Sequence, residues 1–137
     1  MRVGGETTGS IGSGLCVLLS VAPSDDRTIA RRLARRVATL RVFPDGDGRM
    51  NLDLEAAGGG VLVVSQFTLH AETSRGHRPS FIRAGPPELA EQLCAVFADE
   101  LQAAGLHVET GRFGAHMEVE LVNDGPVTLL LDSSREF

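Results

Sequence analysis

The chain has 137 residues, enough for one domain of ordinary size and too few for two comparable ones. Apolar residues make up 42% and charged residues 23%, a globular balance that excludes wholesale disorder. Every one of the 13 cationic side chains is arginine; against 18 acidic residues the net charge is −5, which disfavours wrapping duplex nucleic acid, so DNA is not an expected partner.

The longest apolar run, residues 15–22 with Ser20 interrupting it, falls far short of the ~20 residues a membrane span needs. The start, Met1-Arg2-Val3-Gly4-Gly5-Glu6, is polar and glycine-rich, not a secretory leader. A soluble cytoplasmic protein with no membrane partner is expected.

In chain order, the glycine- and serine-rich stretch over residues 9–14 leads into a strand over residues 15–21. Ser24, Asp25 and Asp26 supply N-cap chemistry for a helix over residues 27–40, with Ile29, Leu33, Val37 and Leu40 at helical spacing. A short strand over residues 41–43 leads to Asp45-Gly46-Asp47-Gly48, and a second follows over residues 50–54. Gly58-Gly59-Gly60 breaks the chain before its strongest strand, residues 61–69. A polar loop covers residues 71–80. Pro86 and Pro87 then open a second helix with a stripe of Leu89, Leu93, Val96, Phe97 and Leu101, closed by Gly105. Three further strands are expected over residues 106–109, 117–122 and 127–132. This order predicts a single layered α/β domain with two β-sheets and helices packed on one side.

Several motifs carry less than they suggest. Asp45-Gly46-Asp47-Gly48 resembles the start of a calcium loop, but the sixth and twelfth places hold Met50 and Ala56 instead of glycine and glutamate. A hairpin turn is the better reading. The triple glycine lacks the Gly-Lys-Ser/Thr ending of a phosphate loop, and the four histidines show no metal-binding spacing. No metal and no cofactor are expected. Cys16 and Cys94 have no zinc-type neighbours and read as buried free thiols. Ser65 lacks the flanking glycines of a nucleophile elbow. Arg31, Arg32, Arg35 and Arg36 form like-charge pairs on the first helix, either a solvated face neutralised by carboxylates or a local phosphate-binding patch.

Two segments carry chemistry. In Ser65-Gln66-Phe67-Thr68-Leu69 a hydroxyl and an amide close an apolar strand, where they can orient a substrate or satisfy nearby backbone groups. Strand alternation would put Gln66 and Thr68 on one face, Ser65 and Phe67 on the other. In Asn123-Asp124-Gly125-Pro126-Val127-Thr128 a Gly-Pro pair lies between two expected strands, ordinarily a plain turn; proline also makes a cis bond accessible.

These residues carry a family resemblance. Together with Arg78-Pro79-Ser80-Phe81 and Gly111-Arg112-Phe113-Gly114-Ala115 followed by Met117, they make the chain resemble the D-aminoacyl-tRNA deacylases over residues 3–133. The resemblance implies a cytoplasmic homodimer that hydrolyses the ester of D-aminoacyl-tRNA in proofreading, with glycyl-tRNA as a further substrate and the tRNA acceptor end as partner. It implies catalytic roles for Thr68, Ser65 and Gln66, and a substrate pocket lined by Phe67, Gly114, Ala115 and Met117. It further implies that Gly125 and Pro126, joined by a cis bond, enter the partner subunit's site and reject L-amino acids. Relative to the family pattern, the chain is expected to lack a first strand bearing a Gln-Arg-Val segment, and His70 stands where tyrosine is frequent. The alternative is a truncated, catalytically impaired homodimer that still binds tRNA ends. An interaction domain without an RNA role is a third reading, and deacylase activity separates the first from both others.

Overall fold

The computed structural model describes residues 1–135. Its centre is a parallel three-stranded sheet in the order β3 (Gly14–Leu19), β6 (Gly60–Ser65), β7 (Val108–Thr110). The central strand β6 is buried from Gly60 through Val64, as expected of a parallel strand covered on both faces. Alternation sorts its side chains. Val61 and Val63 face the two long helices, joining Leu19, Val37, Phe97, Leu101 and Val108 in the main core. Leu62 and Val64 face the other way, under Met1, Ile11 and Met117.

Helix α1 (Arg27–Thr39) starts where Asp26 caps it, its carboxylate accepting from the Ile29 N–H at 2.9 Å. Its most buried residues are Ala34 and Val37, whereas Ile29, Leu33 and Leu40 are only half-buried. The small Ala34 lets α1 lie close against the last helix, and the larger apolar residues flank that contact. A second ordered turn, α2 (Leu54–Ala57), is capped by Asp53 and ended by Gly58 at φ +69°. It plugs the core with fully buried Leu54. The last helix, α3 (Pro87–Ala103), begins on proline and buries Ala90, Leu93, Phe97, Ala98 and Leu101; Gly105 follows its end at φ +87°. An ion pair from Arg35 to Glu100 at 2.9 Å joins α1 to α3. Arg31, Arg32 and Arg36 lie exposed on the same helix.

Two antiparallel ladders flank the sheet. In the first, β1 (Arg2–Val3) and β2 (Glu6–Thr7) turn through Gly4 and Gly5, both at positive φ, the turn type that glycine pairs favour. In the second, β4 (Phe43–Pro44) and β5 (Met50–Leu52) are joined by the Asp45 turn. The Asp45 carboxylate accepts from the N–H groups of Asp47 and Arg49 at 2.9 and 3.1 Å and from the Asn51 amide at 3.1 Å. The Arg49 and Asp47 hydrogen bonds hold its pKa below the ordinary carboxylate value. Asp45→Ala is therefore expected to lower the melting temperature at neutral pH. Because the folded-state carboxyl titrates below its unfolded value, its contribution is complete above about pH 4 and is lost as pH falls through the folded-state pKa. The difference between variant and wild type should close in acid; a difference that persists there unchanged contradicts the assignment.

Three sequence expectations are corrected. The strand over residues 61–69 ends at Ser65, and Phe67–His70 form a 3-10 turn. The reason lies in the neighbour: β3 stops at Leu19, whose carbonyl takes the Gln66 N–H at 2.7 Å. Beyond that point no ladder partner remains, and the chain coils to satisfy itself, Leu69 N–H on the Gln66 carbonyl and Ala71 N–H on that of Thr68, both 3.1 Å. Residues 117–122 form no strand beyond one antiparallel bridge between Arg2 and Glu118, and residues 127–132 form none. Their alternating pattern suits a strand, but among the described residues no segment beyond that bridge pairs with them to complete a ladder.

Candidate active site

The end of β6 divides the site residues. Ser65, the last residue of the strand, continues the helix-facing series of Val61 and Val63. With Val63, Cys94, Thr110, Phe113 and Met117 it lines a cavity of about 280 Å³. The wall at Phe113 and Met117 follows a tight turn, Ala115 N–H to the Arg112 carbonyl at 3.1 Å with Gly114 at φ +77°. Gly114 and Ala115 thus shape the wall from the turn without lining the cavity themselves. Gly111 leaves room there for the sulfurs of Met1 and Met117, which a Cβ on it would force to move.

Gln66 and Thr68 meet directly: the Gln66 Nε2 donates to Thr68 Oγ1 at 2.5 Å. That bond occupies the threonine oxygen as acceptor and leaves its own O–H free to donate outward. Thr68 is exposed. Phe67 packs edge-on against Phe81, centroids 5.1 Å apart at 73°. Phe81 is held there by the loop before it, closed by paired backbone bonds between Glu72 and Ser80 of 2.7 and 2.9 Å. Its place against Phe67 could not be read from spacing, since 14 positions of loop and turn separate the two.

Both cysteines are free and half-buried. Burial raises the pKa of Cys94, only partly opposed by a hydrogen bond with Ser65, and burial raises that of Cys16. A protonated thiol is a weak nucleophile.

Gly125 and Pro126 lie elsewhere. Their peptide bond is cis, and Gly125 lines a long open cleft beside β3 and α1, outside the cavity of Ser65. Asn123 closes the loop around them, accepting from the Val127 N–H at 3.2 Å and donating to Thr128 Oγ1 at 3.0 Å. All of residues 121–130 are exposed, including Leu121 (56%), Val122 (91%) and Leu130 (70%).

Comparison with known proteins places this arrangement. Residues 1–132 match the family described as D-Tyr-tRNA(Tyr) deacylase. A D-aminoacyl-tRNA deacylase of Symbiobacterium thermophilum is 58% identical over 137 residues, covering all of this chain and 91% of the relative. One of Cronobacter sakazakii is 56% identical over 131 residues, covering 96% of this chain and 90% of that one. Among solved structures, one described as "c-Myc DNA Unwinding Element Binding Protein" superposes with TM-score 0.88 at 37% identity, over 96% of this chain and 89% of that one. A probable eukaryotic D-amino acid tRNA deacylase shares the fold at TM-score 0.60 and 14% identity, over 74% of each chain. The fold and the sequence together define an ester hydrolase of the aminoacyl-tRNA deacylase class. The chain belongs to the D-Tyr-tRNA(Tyr) deacylase family and is a D-aminoacyl-tRNA deacylase.

No helix among the described residues is long and apolar enough to cross a membrane.

Proposed function

We propose that this deacylase works in the cytoplasm as a homodimer that accepts D-aminoacyl-tRNA and glycyl-tRNA, rejects the L-isomers, and builds each site from both subunits. One observation carries the reading. The segment bearing Gly125 and Pro126 is apolar, yet its own chain leaves it uncovered from residue 121 to residue 130. Exposed apolar stretches of this extent mark interaction surfaces. A second copy is the occupant that brings the segment to a site, and two-fold symmetry brings it to both.

The chemistry needs little from the protein. An aminoacyl ester is already activated, so water adds to its carbonyl carbon, the carbonyl oxygen takes negative charge, and the terminal ribose oxygen leaves with a proton. The main requirement is a donor at the developing oxyanion. Thr68, oriented by Gln66, supplies that hydroxyl proton. Ser65, Phe67 and Met117, with the turn at Gly114 and Ala115, shape the pocket around the terminal adenosine and the ester. Gly125 and Pro126 of the partner subunit contribute main-chain oxygens that hold the substrate's α-amino group. A filter made of backbone reads the configuration at Cα and ignores the rest of the side chain, so many D-amino acids pass. Glycine has no side chain to reject.

The test is the rate of deacylation of D- and L-tyrosyl-tRNA at equal concentration. A preference for the D-isomer of about 100-fold or more is expected, since a steric clash in a rigid site costs several kcal/mol. Equal rates for the two isomers overturn the reading.

A further inference from the structure

The turn Phe67–His70 carries Thr68 but has no core of its own. Phe67, Thr68 and Leu69 are all exposed, and the turn lies beyond the last rung of the sheet. Besides the Phe67–Phe81 ring contact and the turn's own backbone bonds, two consecutive residues tie it to the sheet, the last of β3 and the one after it. At the near end, the Leu19 carbonyl accepts the Gln66 N–H at 2.7 Å. At the far end, Ser20 Oγ and His70 Nδ1 are 2.5 Å apart, and the same hydroxyl lies 3.4 Å from the Phe67 carbonyl. Ser20 and His70 are half-buried, which shields the contact without hiding the turn. We propose that Ser20 and His70 are a positioning pair that clamps the turn to β3 and so holds Thr68 in place at the reacting ester.

The argument is geometric. Leu19 pairs with Ser65 in the sheet, so the residue after it is anchored on a rigid strand. Thr68 stands two residues from each tether, midway between Gln66 and His70. With both ends tied, the turn has little room to swing; with only the Gln66 end tied, His70 and the Thr68 hydroxyl can drift together. An error of about an ångström in a catalytic group is enough to cost a large part of the rate. A hydroxyl both donates and accepts, so Ser20 can bond the Nδ1 of His70 whichever of the two supplies the hydrogen.

The inference rests on the role of Thr68 proposed above, and the experiment separates the two. Ser20→Ala, His70→Phe and the double variant are assayed on D-tyrosyl-tRNA for kcat and KM, alongside His70→Asn and Thr68→Ala. Each single variant of the pair is expected to lower kcat about five- to tenfold with KM nearly unchanged, the size of one lost hydrogen bond. The double variant should be no worse than either single one, because both remove the same contact. His70→Asn, whose amide reaches the place of Nδ1, should restore kcat to within about twofold. Melting temperatures of all variants separate a lost position from a lost fold. Additive losses, unchanged kcat in the folded single variants, or failure of His70→Asn to restore what His70→Phe loses overturns the pair. Unchanged kcat in Thr68→Ala overturns the role of Thr68 itself, whatever the pair does.

Discussion

Gly14→Ala is expected to destabilise the fold severely, although it adds one methyl group. Gly14 pairs with Gly60 where β3 and β6 begin, at φ +153°, a conformation that side chains rarely adopt. A Cβ built there overlaps the Gly60 carbonyl oxygen and lies 2.7 Å from both its carbonyl carbon and its nitrogen. The obstacle is backbone and cannot rotate away. Nor can Gly60 retreat, because its N–H is bonded to the Ser13 carbonyl at 3.0 Å and the four residues after it are buried in the core. Overpacking and a strained φ together cost about 3 kcal/mol or more, a large share of the ~5–15 kcal/mol that holds a domain together. Gly12→Ala is the matched control, with nothing within 4 Å of the added carbon. It should change stability by no more than about 0.5 kcal/mol. Urea unfolding of both variants decides; a wild-type midpoint for Gly14→Ala would falsify the close approach of the two strands.

What could be read from the sequence divides along the same physical line, local against non-local. The helices announced themselves through Asp26, Pro87 and Gly105, because caps act within a few residues of where they stand. The Asp45 hairpin and the buried β6 were equally local. The turn at Phe67–His70 was not. Its alternation of Gln66, Phe67, Thr68 and Leu69 suits a strand, and the fact that ends the strand is the end of β3 at Leu19, 47 positions earlier than Gln66. The stretches over residues 117–122 and 127–132 failed for a related reason: a strand is defined by its neighbour, and among the described residues only Arg2 supplies one, to the first of them. The turn α2 was missed because four residues are too few for a helical period, although Asp53 and Gly58 stood at its ends. For the site, the family resemblance named segments and the fold arranged their side chains. It separated Ser65 from Gln66, set Phe81 against Phe67, and brought Ser20 to His70.

That arrangement yields the second large effect, a gain of activity on mixing two inactive proteins. Thr68→Ala removes the proposed oxyanion donor and is expected to lower kcat about 100-fold or more. Gly125→Val places a side chain at φ +141°, with its Cβ 2.8 Å from Val127 Cγ2, and on the proposed mechanism pushes bulk into the space of the α-amino group. It too should be nearly inactive, yet each protomer should fold, since Thr68 and Gly125 are both exposed on the isolated chain. Size-exclusion chromatography checks that both form the proposed dimer. If each site takes Thr68 from one subunit and Gly125 from the other, a mixed dimer has one doubly defective site and one wholly native site. After the two variants are unfolded together and refolded at equal amounts, half of the dimers are mixed, and the mixture should regain about a quarter of wild-type activity. The regained activity should carry the wild-type preference for D- over L-tyrosyl-tRNA, because the native site in the mixed dimer has an unaltered Gly125. Activity that stays at the level of the separate variants means that Thr68 and Gly125 act within one chain, and the cross-subunit site is then wrong.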